Sequence, residues 1–593
     1  MNDSTTPSST PSPRKRLKIF LWLAAATLLL LAWFCWQLFG PNPPLRISKE
    51  TTFITTPLGP DGLPDYFEYL RRISRRDVTP ENNAAVLIWQ ALGPKGVPVD
   101  QREEFFSEMG MHVPPEEGDY FRAPHDRELL DAGVHWLTDL NWVPPESRWF
   151  DEPDDSDESG DIGSEVGENS ADAAQLEDYQ IRERREEWFE RQIQFAMERP
   201  WSTEQLPPLA DWLKANRLSL DFAVKASRRP KFYGSFVRDR TDQGPPILRA
   251  HFYTEHEMRY LARALAIRAM WNLGEGRLAS ADEDVWACHN LARLTLQSHD
   301  SISQLIAQSI NAIAIRTSSA FASRLSESPE LCAEARRKFD QLPPSSNVRR
   351  AIVLDERLQV LDSTLFVMRQ LNSNEELTQL RESQPSGARA SFDWEKIFSR
   401  LNRLFDTIDE AAATGDIGSA EAQSMLEEVY DFGPDKPDWK TKFASFFSRR
   451  IRTDMLYRDV AGLQAPILVP FGNEKRHASY QDLVRIAFSL ASYRAEHGEY
   501  PESLDELRPH YLTSIPLDRD SKQPLRYERR PSGYLLYAVG PDGTDNGGDD
   551  LFATSVVDGE WTNDKTNFSA ADFNYDFVIR VPVPPVEKPD VRK

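Results

Sequence analysis

The residues nearest to a metal-hydrolase pattern are His251, His256 and Glu257. An HExxH site needs two histidines one helical turn apart, so that both rings reach one zinc ion while the glutamate serves as base. The fourth residue after His256 is Tyr260, and His251 and His256 would sit about 140° apart around a helix, so no zinc site is expected. Glu255 with Glu257, and Glu502 with Asp505 and Glu506, are dense enough in carboxylates for acid–base work. At this density such groups are expected to be solvated helix faces or first-turn charges favoured by the helix dipole. No Gly-x-Ser-x-Gly elbow, GxxxxGK loop or strand-linked GxGxxG occurs, so acyl-transfer, nucleotide and dinucleotide sites lack support, and no catalytic residue is assigned. The run Asp542-Gly543-Thr544-Asp545-Asn546-Gly547-Gly548-Asp549-Asp550 suits a hard cation, because calcium takes six to eight oxygens and glycines let backbone carbonyls close around it. From composition alone it reads as a solvated Gly-Asp turn.

Asp155, Asp157, Ser159, Gly160 and Ile162 follow EF-hand spacing, but the twelfth position is Val166, with Glu165 one residue early. Pro144-Pro145 and Pro153 also oppose an entering helix, so a solvated acidic loop is expected there. Cys288 and Cys332 are expected to be buried free thiols. The pairs Arg75-Arg76, Arg228-Arg229 and Arg449-Arg450 lack interleaved aromatics and read as surface charge or intramolecular ion-pair donors.

The elements that must position these groups begin with an apolar run. Ile19 to Phe39 are 21 uncharged residues, which as a helix reach about 31 Å, enough to cross a bilayer. Arg14, Lys15, Arg16 and Lys18 precede it and the next basic residue is Arg46, so the N-terminus is expected in the cytoplasm and everything after Pro41 outside it. The run is longer than a signal-peptide core and lacks a small-x-small cleavage site. With 70 Lys plus Arg against 93 Asp plus Glu, the formal charge is −23, which disfavours nucleic-acid binding, and no nucleotide is expected.

Residues 1–18 read as a disordered cytoplasmic tail, 19–39 as the transmembrane helix and 40–150 as a small, mainly helical subdomain. Residues 151–178 hold twelve acids and no Lys or Arg, an acidic linker or loop. From 179 to 465 helical spacing dominates. Met258, Leu261, Ala262, Leu265, Ala269 and Trp271, then Val285, Trp286, Leu291 and Leu294, flank Gly274 and Gly276 and predict a helical hairpin within a bundle or irregular solenoid. From Ser479 the pattern becomes one amphipathic helix (Leu483, Ile486, Ala487, Leu490, Ala491) ending at His497-Gly498. A hairpin around Ser532-Gly533 follows, so residues 479–593 read as an α+β module with a Pro-rich tail.

Tyr493-Arg494-Ala495-Glu496-His497-Gly498-Glu499-Tyr500-Pro501, Leu525-Arg526-Tyr527 and Gly533-Tyr534 through Val539-Gly540-Pro541-Asp542-Gly543 resemble the C-terminal domain of the major pseudopilin of type II secretion systems, over about 110 residues. The resemblance implies a helix packed on a small antiparallel sheet and a calcium loop, with Asp542, Asp545, Asp549 and Asp550 at the corresponding positions. The N-terminus departs from that family: it has no Gly-Phe junction and no Glu in the apolar run, which lies more than 400 residues upstream of the similar module. Filament assembly by the pseudopilin route is therefore not expected.

The combined expectation is a mainly α chain with one N-terminal transmembrane helix and a C-terminal α+β pseudopilin-like module, anchored in the cytoplasmic (inner) membrane. Its partners would be the lipid bilayer and envelope proteins, its cofactor Ca2+, and its work structural or interaction-based, with secretion-related assembly as one version. The alternative is a membrane-anchored envelope hydrolase whose site is assembled from distant residues.

Overall fold

In the computed structural model of the chain, the described residues are 13–40, 42–144, 170–238, 244–250, 253–299, 301–326, 328–344, 348–372, 391–414, 424–425, 440–441, 444–445, 448–462, 469–540, 543–548, 555–557, 560–562 and 576–589. The helices run α1 (Pro13–Phe39), α2 (Tyr66–Ser74), α3 (Ala84–Leu92), α4 (Arg102–Glu108), α5 (Arg127–Asp139), α6 (Ser170–Phe195), α7 (Pro207–Ala215), α8 (Arg217–Ser227), α9 (Tyr253–Gly274), α10 (Leu278–Thr295), α11 (Ser301–Leu325) and α12 (Pro329–Asp340). A π-helical turn (Ala351–Glu356) leads into α13 (Arg357–Asn372), followed by α14 (Trp394–Ala413), α15 (Arg449–Gly462) and α16 (Val469–His497). Strands β1 (Arg526–Arg530), β2 (Gly533–Ala538), β3 (Ser555–Val557), β4 (Glu560–Thr562) and β5 (Phe577–Val581) complete the chain, which is mainly helical.

The chain folds into two compact units that do not follow chain order. One comprises residues 1–73, 238–250 and 349–468, and the other 74–237, 251–348 and 469–593. The contiguous stretches expected from the sequence, 40–150 and 179–465, each contribute to both units. The cause is non-local burial, which neither composition nor periodicity encodes.

In the first unit, α14 shows a long amphipathic spacing. Trp394, Ile397, Phe398, Leu401, Leu404, Phe405, Ile408 and Ala411 are buried along one stripe, and the Asp393 carboxylate accepts the Lys396 amide as N-cap. This stripe packs against α13, the π-helical turn and α15. Arg357, 4% exposed, stacks over Phe53 (4.5 Å) and Phe405 (5.6 Å) and pairs with Asp406 at 2.7 Å. The segment 244–250 is tied in by the Ile247 amide, which donates to the buried Asp362 carboxylate at 2.8 Å. Helix α1 contains one span, Phe20–Gln37, long and apolar enough to cross a membrane, and none of that span is buried. A signal sequence near an N-terminus would meet the same length and hydropathy criterion.

In the second unit, α9 and α10 form the expected hairpin. Gly274 ends α9 against the Trp201 backbone, where a Cβ would lie 1.9 Å from the carbonyl oxygen, and Gly276 takes a φ of +75° in the turn. Between these helices Arg268 holds Asp284 through contacts of 2.6 to 3.1 Å and reaches Asp221 at 2.9 Å. Burial pushes the Asp284 carboxyl up to about 6, which leaves the pair ionised at neutral pH. Helix α16 begins ten residues before the predicted start at Ser479. Its stretch Leu483, Val484, Ile486, Ala487, Phe488, Leu490 and Ala491 is buried on every side. Such a helix must be covered all round, and α16 packs on α11 and α12 as well as on β2 and β5. Phe488 lies 6.4 Å from Trp286 and 5.5 Å from Phe339. The C-terminal sheet therefore shares its long helix with the helical core.

The sheet is antiparallel in the order β1-β2-β5, with Arg526 opposite Tyr537, and Ala538 opposite Phe577. A separate two-stranded ribbon pairs β3 with β4. The Pro-rich tail lies against α6: Val586 is buried, and the Glu587 carboxylate accepts from Trp188 and Gln192.

Candidate functional site

Of the four aspartates assigned to the cation loop, Asp545 is described, while Asp542, Asp549 and Asp550 lie outside the described residues. The EF-hand-like run 155–166 lies outside them too. Because β1 and β2 pair in register, Arg526 and Tyr537 face each other across the strands, and both reach the Asp545 carboxylate, at 3.1 Å and 3.0 Å. The Gly547 amide donates to it at 3.0 Å, and this bond together with Arg526 keeps the carboxyl below its usual range. Asp545 is thus already neutralised by its own sheet.

The carboxylate that sequence reading missed is Asp576, immediately before β5 and 1% exposed. One oxygen, Oδ2, accepts the Asn546 amide at 3.0 Å and the Gly548 amide at 2.8 Å. Among the described residues the other, Oδ1, is buried and has no hydrogen-bond partner at ordinary distance, although the Gly540 amide also helps to lower the carboxyl. Burial pushes this group up, as does the nearby Asp545 charge, while the loop amides pull it down. Gly543, Gly547 and Gly548 all take positive φ, which lets the loop curl over Asp576. An open, buried carboxylate oxygen under a Gly-Asp loop is a fitting first ligand for a hard cation. Among the described residues no group of three or more His, Cys, Asp or Glu side chains converges to hold a metal.

A cleft of about 510 Å³ in the second unit is the other candidate. Its floor includes Trp89, whose Nε1 donates to Thr254 at 2.9 Å, and its rim is the loop carrying Glu116, Glu117 and Tyr120. Asn216 receives the Arg122 amide at 2.8 Å, and the Ser219 hydroxyl donates to the Ala91 and Asp119 carbonyls, so α8 fixes that loop. The Tyr120 ring lies flat on Gly93 and Gly118, where a Cβ would come within 2.5 Å and 2.9 Å of it. Glu257 enters this cleft from α9, half-buried, and desolvation alone raises its pKa. Among the described residues that line the cleft, none is Ser, Thr, Cys or His, and Glu116, Glu117 and Asp126 share it with Glu257. A second hollow, about 470 Å³ and walled by Trp136, Trp212, Pro207 and Pro208, shares Arg122 and Asp126 with the first.

The carboxylate pairs weighed from sequence come apart. Glu255 is buried and accepts from the Ser298 hydroxyl at 2.8 Å, whereas Glu257 faces the cleft. Glu506 forms a capping box with Ser503 and accepts from Tyr493, Glu502 pairs with Arg529, and Asp505 pairs with Arg508. His289 meets Ser318 at 2.7 Å, but both are fully buried, and burial keeps the imidazole neutral. Cys288 and Cys332 are free and buried, bonded to the Ala262 and Leu325 carbonyls. Burial raises both thiols, Cys332 to about 11, so neither is a ready nucleophile. Arg75 pairs with Glu108 and Arg228 with Glu283, as intramolecular donors. No protein-family model, curated protein or solved structure matches this chain.

Proposed function

We propose that the chain is a single-pass protein of the cytoplasmic membrane with its N-terminus in the cytoplasm, whose extracytoplasmic bulk does structural or protein-interaction work. In this reading the C-terminal helix and sheet form a pseudopilin-like element stabilised by calcium. The observation that carries the proposal lies at the end of α1. The Gln37 carbonyl accepts from the Ser391 hydroxyl at 3.1 Å and from the buried Arg452 guanidinium, and its side-chain oxygen accepts the Arg449 amide at 3.2 Å. Cleavage of α1 as a signal peptide would leave a buried guanidinium short of an acceptor, so a retained anchor suits the fold of the first unit. The apolar side chains of α1, among them Trp22 at 78% exposure, have lipid as their natural cover. The two adjoining hollows, with aromatic and proline walls, supply a surface for a partner.

The test is protease added to sealed spheroplasts, followed by N-terminal sequencing of the membrane-extracted chain. The expected result is digestion of the bulk, with an intact N-terminus on the undigested control. A protected bulk rejects the orientation, and a mature N-terminus beyond Phe39 rejects the anchor. The half-buried Glu257 favours the second reading, an anchored hydrolase, because burial raises its pKa and so favours the protonated form that a general acid needs. A cleft lined by several acids, with no Ser, Thr, Cys or His among its described residues, suits ligand binding better than bond cleavage.

A further inference from the structure

On α9, residues His256, Arg259, Tyr260 and Arg263 are spaced i, i+3, i+4 and i+7, which places them on one helical face. Glu257 is two residues from Arg259, about 160° away around the axis, and faces the cleft instead. Arg259 and Arg263 are both partly buried. The Arg259 Nε is fully buried without a hydrogen-bond partner, and among the described residues neither guanidinium forms an ion pair. The Arg259 guanidinium sits 5.6 Å from the centre of the Tyr260 ring, which also stacks with His125 at 4.6 Å.

The Glu255 carboxylate lies one turn before Arg259 on the same side of α9 and accepts from the Ser298 hydroxyl at 2.8 Å. Burial and the Arg259 charge both lower His256, and burial, then Arg259, lowers Arg263; the phenol of Tyr260 is the opposing influence on Arg263. In a chain with 93 acidic residues, two partly buried arginines one turn apart that form no ion pair among the described residues are costly, since like charges at i,i+4 repel and a buried charge needs a partner.

From this arrangement we infer that the Arg259–Arg263 face of α9 is a binding site for a phosphate-class oxyanion. A guanidinium offers planar, forked N–H donors that match the oxygens of phosphate, and two forks one helical turn apart can grip one such group. The two guanidinium groups gain an acceptor, the repulsion between the two cations is neutralised, and His256, exposed at the edge, is placed to add a third donor when protonated. Dissolved phosphate or a phosphate ester, and a lipid headgroup, share this chemistry.

The test uses the full chain in phosphatidylcholine nanodiscs, unfolded by heat in inorganic phosphate or in chloride of matched ionic strength. Millimolar phosphate is expected to raise the unfolding midpoint of the native chain. Arg263→Gln is expected to weaken the phosphate response by about tenfold or more, as loss of a charged hydrogen bond would. Arg259→Lys, which keeps the charge and loses the fork, should fall between. Without phosphate, Arg263→Gln should unfold at or above the native midpoint, because it removes an unpaired buried charge. The same assay in phosphatidylglycerol nanodiscs separates the sources. Stabilisation that needs this lipid and Arg263, without added phosphate, assigns a headgroup; a response to dissolved phosphate in both lipids assigns a soluble ligand. An unshifted midpoint for the native chain in every condition overturns the inference. An equal phosphate response in the chain carrying both Arg259→Gln and Arg263→Gln overturns it as well.

Discussion

Asp576 and Asp545 differ in what they leave open. Asp545 is satisfied by Arg526, Tyr537 and the Gly547 amide, whereas Asp576 keeps one oxygen buried and unpartnered. If calcium occupies the loop, Asp576 contributes more to its retention than Asp545 does. Calcium at a hundredfold excess over its dissociation constant would stabilise the native chain by about 2.7 kcal/mol. Asp576→Ala is expected to abolish that rise in a thermal scan. In calcium-free buffer the same change should cost about 1–3 kcal/mol, because the Asn546 and Gly548 amides lose their acceptor. An undiminished calcium response in Asp576→Ala removes this residue from the ligand set. The acidic run 542–550 was legible because its density is local in sequence. Asp576 was not, because it reaches the loop only through the pairing of β5 with β2, which fixes Phe577 opposite Ala538. Arg259 and Arg263 were hidden for a related reason: a sequence shows charges, and only the fold shows which of them find partners.

Among the elements, the α9–α10 hairpin was readable from apolar spacing and two glycines, and those glycines do different work. Gly274 is required by close approach, since any Cβ would strike the Trp201 backbone, whereas Gly276 has open space and a left-handed φ. Gly274→Ala should therefore destabilise by about 2 kcal/mol or more, as overpacking against rigid backbone does. Gly276→Ala should cost about 1 kcal/mol, from backbone strain alone. Urea unfolding of the two variants measures the gap, and equal costs would mean that the Trp201 backbone gives way. The helix, hairpin turn and strands of the C-terminal segment were also legible, through the His497-Gly498 stop and the Ser532-Gly533 turn. What periodicity could not reveal is that the middle of α16 is buried on its polar side as well, because a face counted as polar or small, such as that of Ser489 and Ser492, can be buried once each hydroxyl bonds the carbonyl four residues back.

For the molecule as a whole, the two units are subject to different electrostatic demands. In the first, Asp362 is 3% exposed; burial raises its carboxyl to about 7, against the pull of the Ile247 amide and the Arg369 and Arg238 charges. A carboxyl raised in the folded state holds its proton more tightly there than when unfolded. Its contribution to stability is complete below about pH 4 and is lost as pH rises towards about 7, at up to about 1.4 kcal/mol per pH unit. Asp362→Asn, which can still accept the Ile247 amide, should flatten that slope when hydrogen exchange of α13 and α14 is followed against pH; an unchanged slope would place the titration elsewhere. The division of the chain was the least legible feature, because residues 1–73 find their packing partners in 349–468. During synthesis α1 is finished early, yet Ser391 and Arg452, which clasp its end at Gln37, are translated only after most of the second unit. A chain that stopped near Val348 would therefore leave the first unit unclosed, lacking α13, α14 and α15 together with the groups that clasp Gln37.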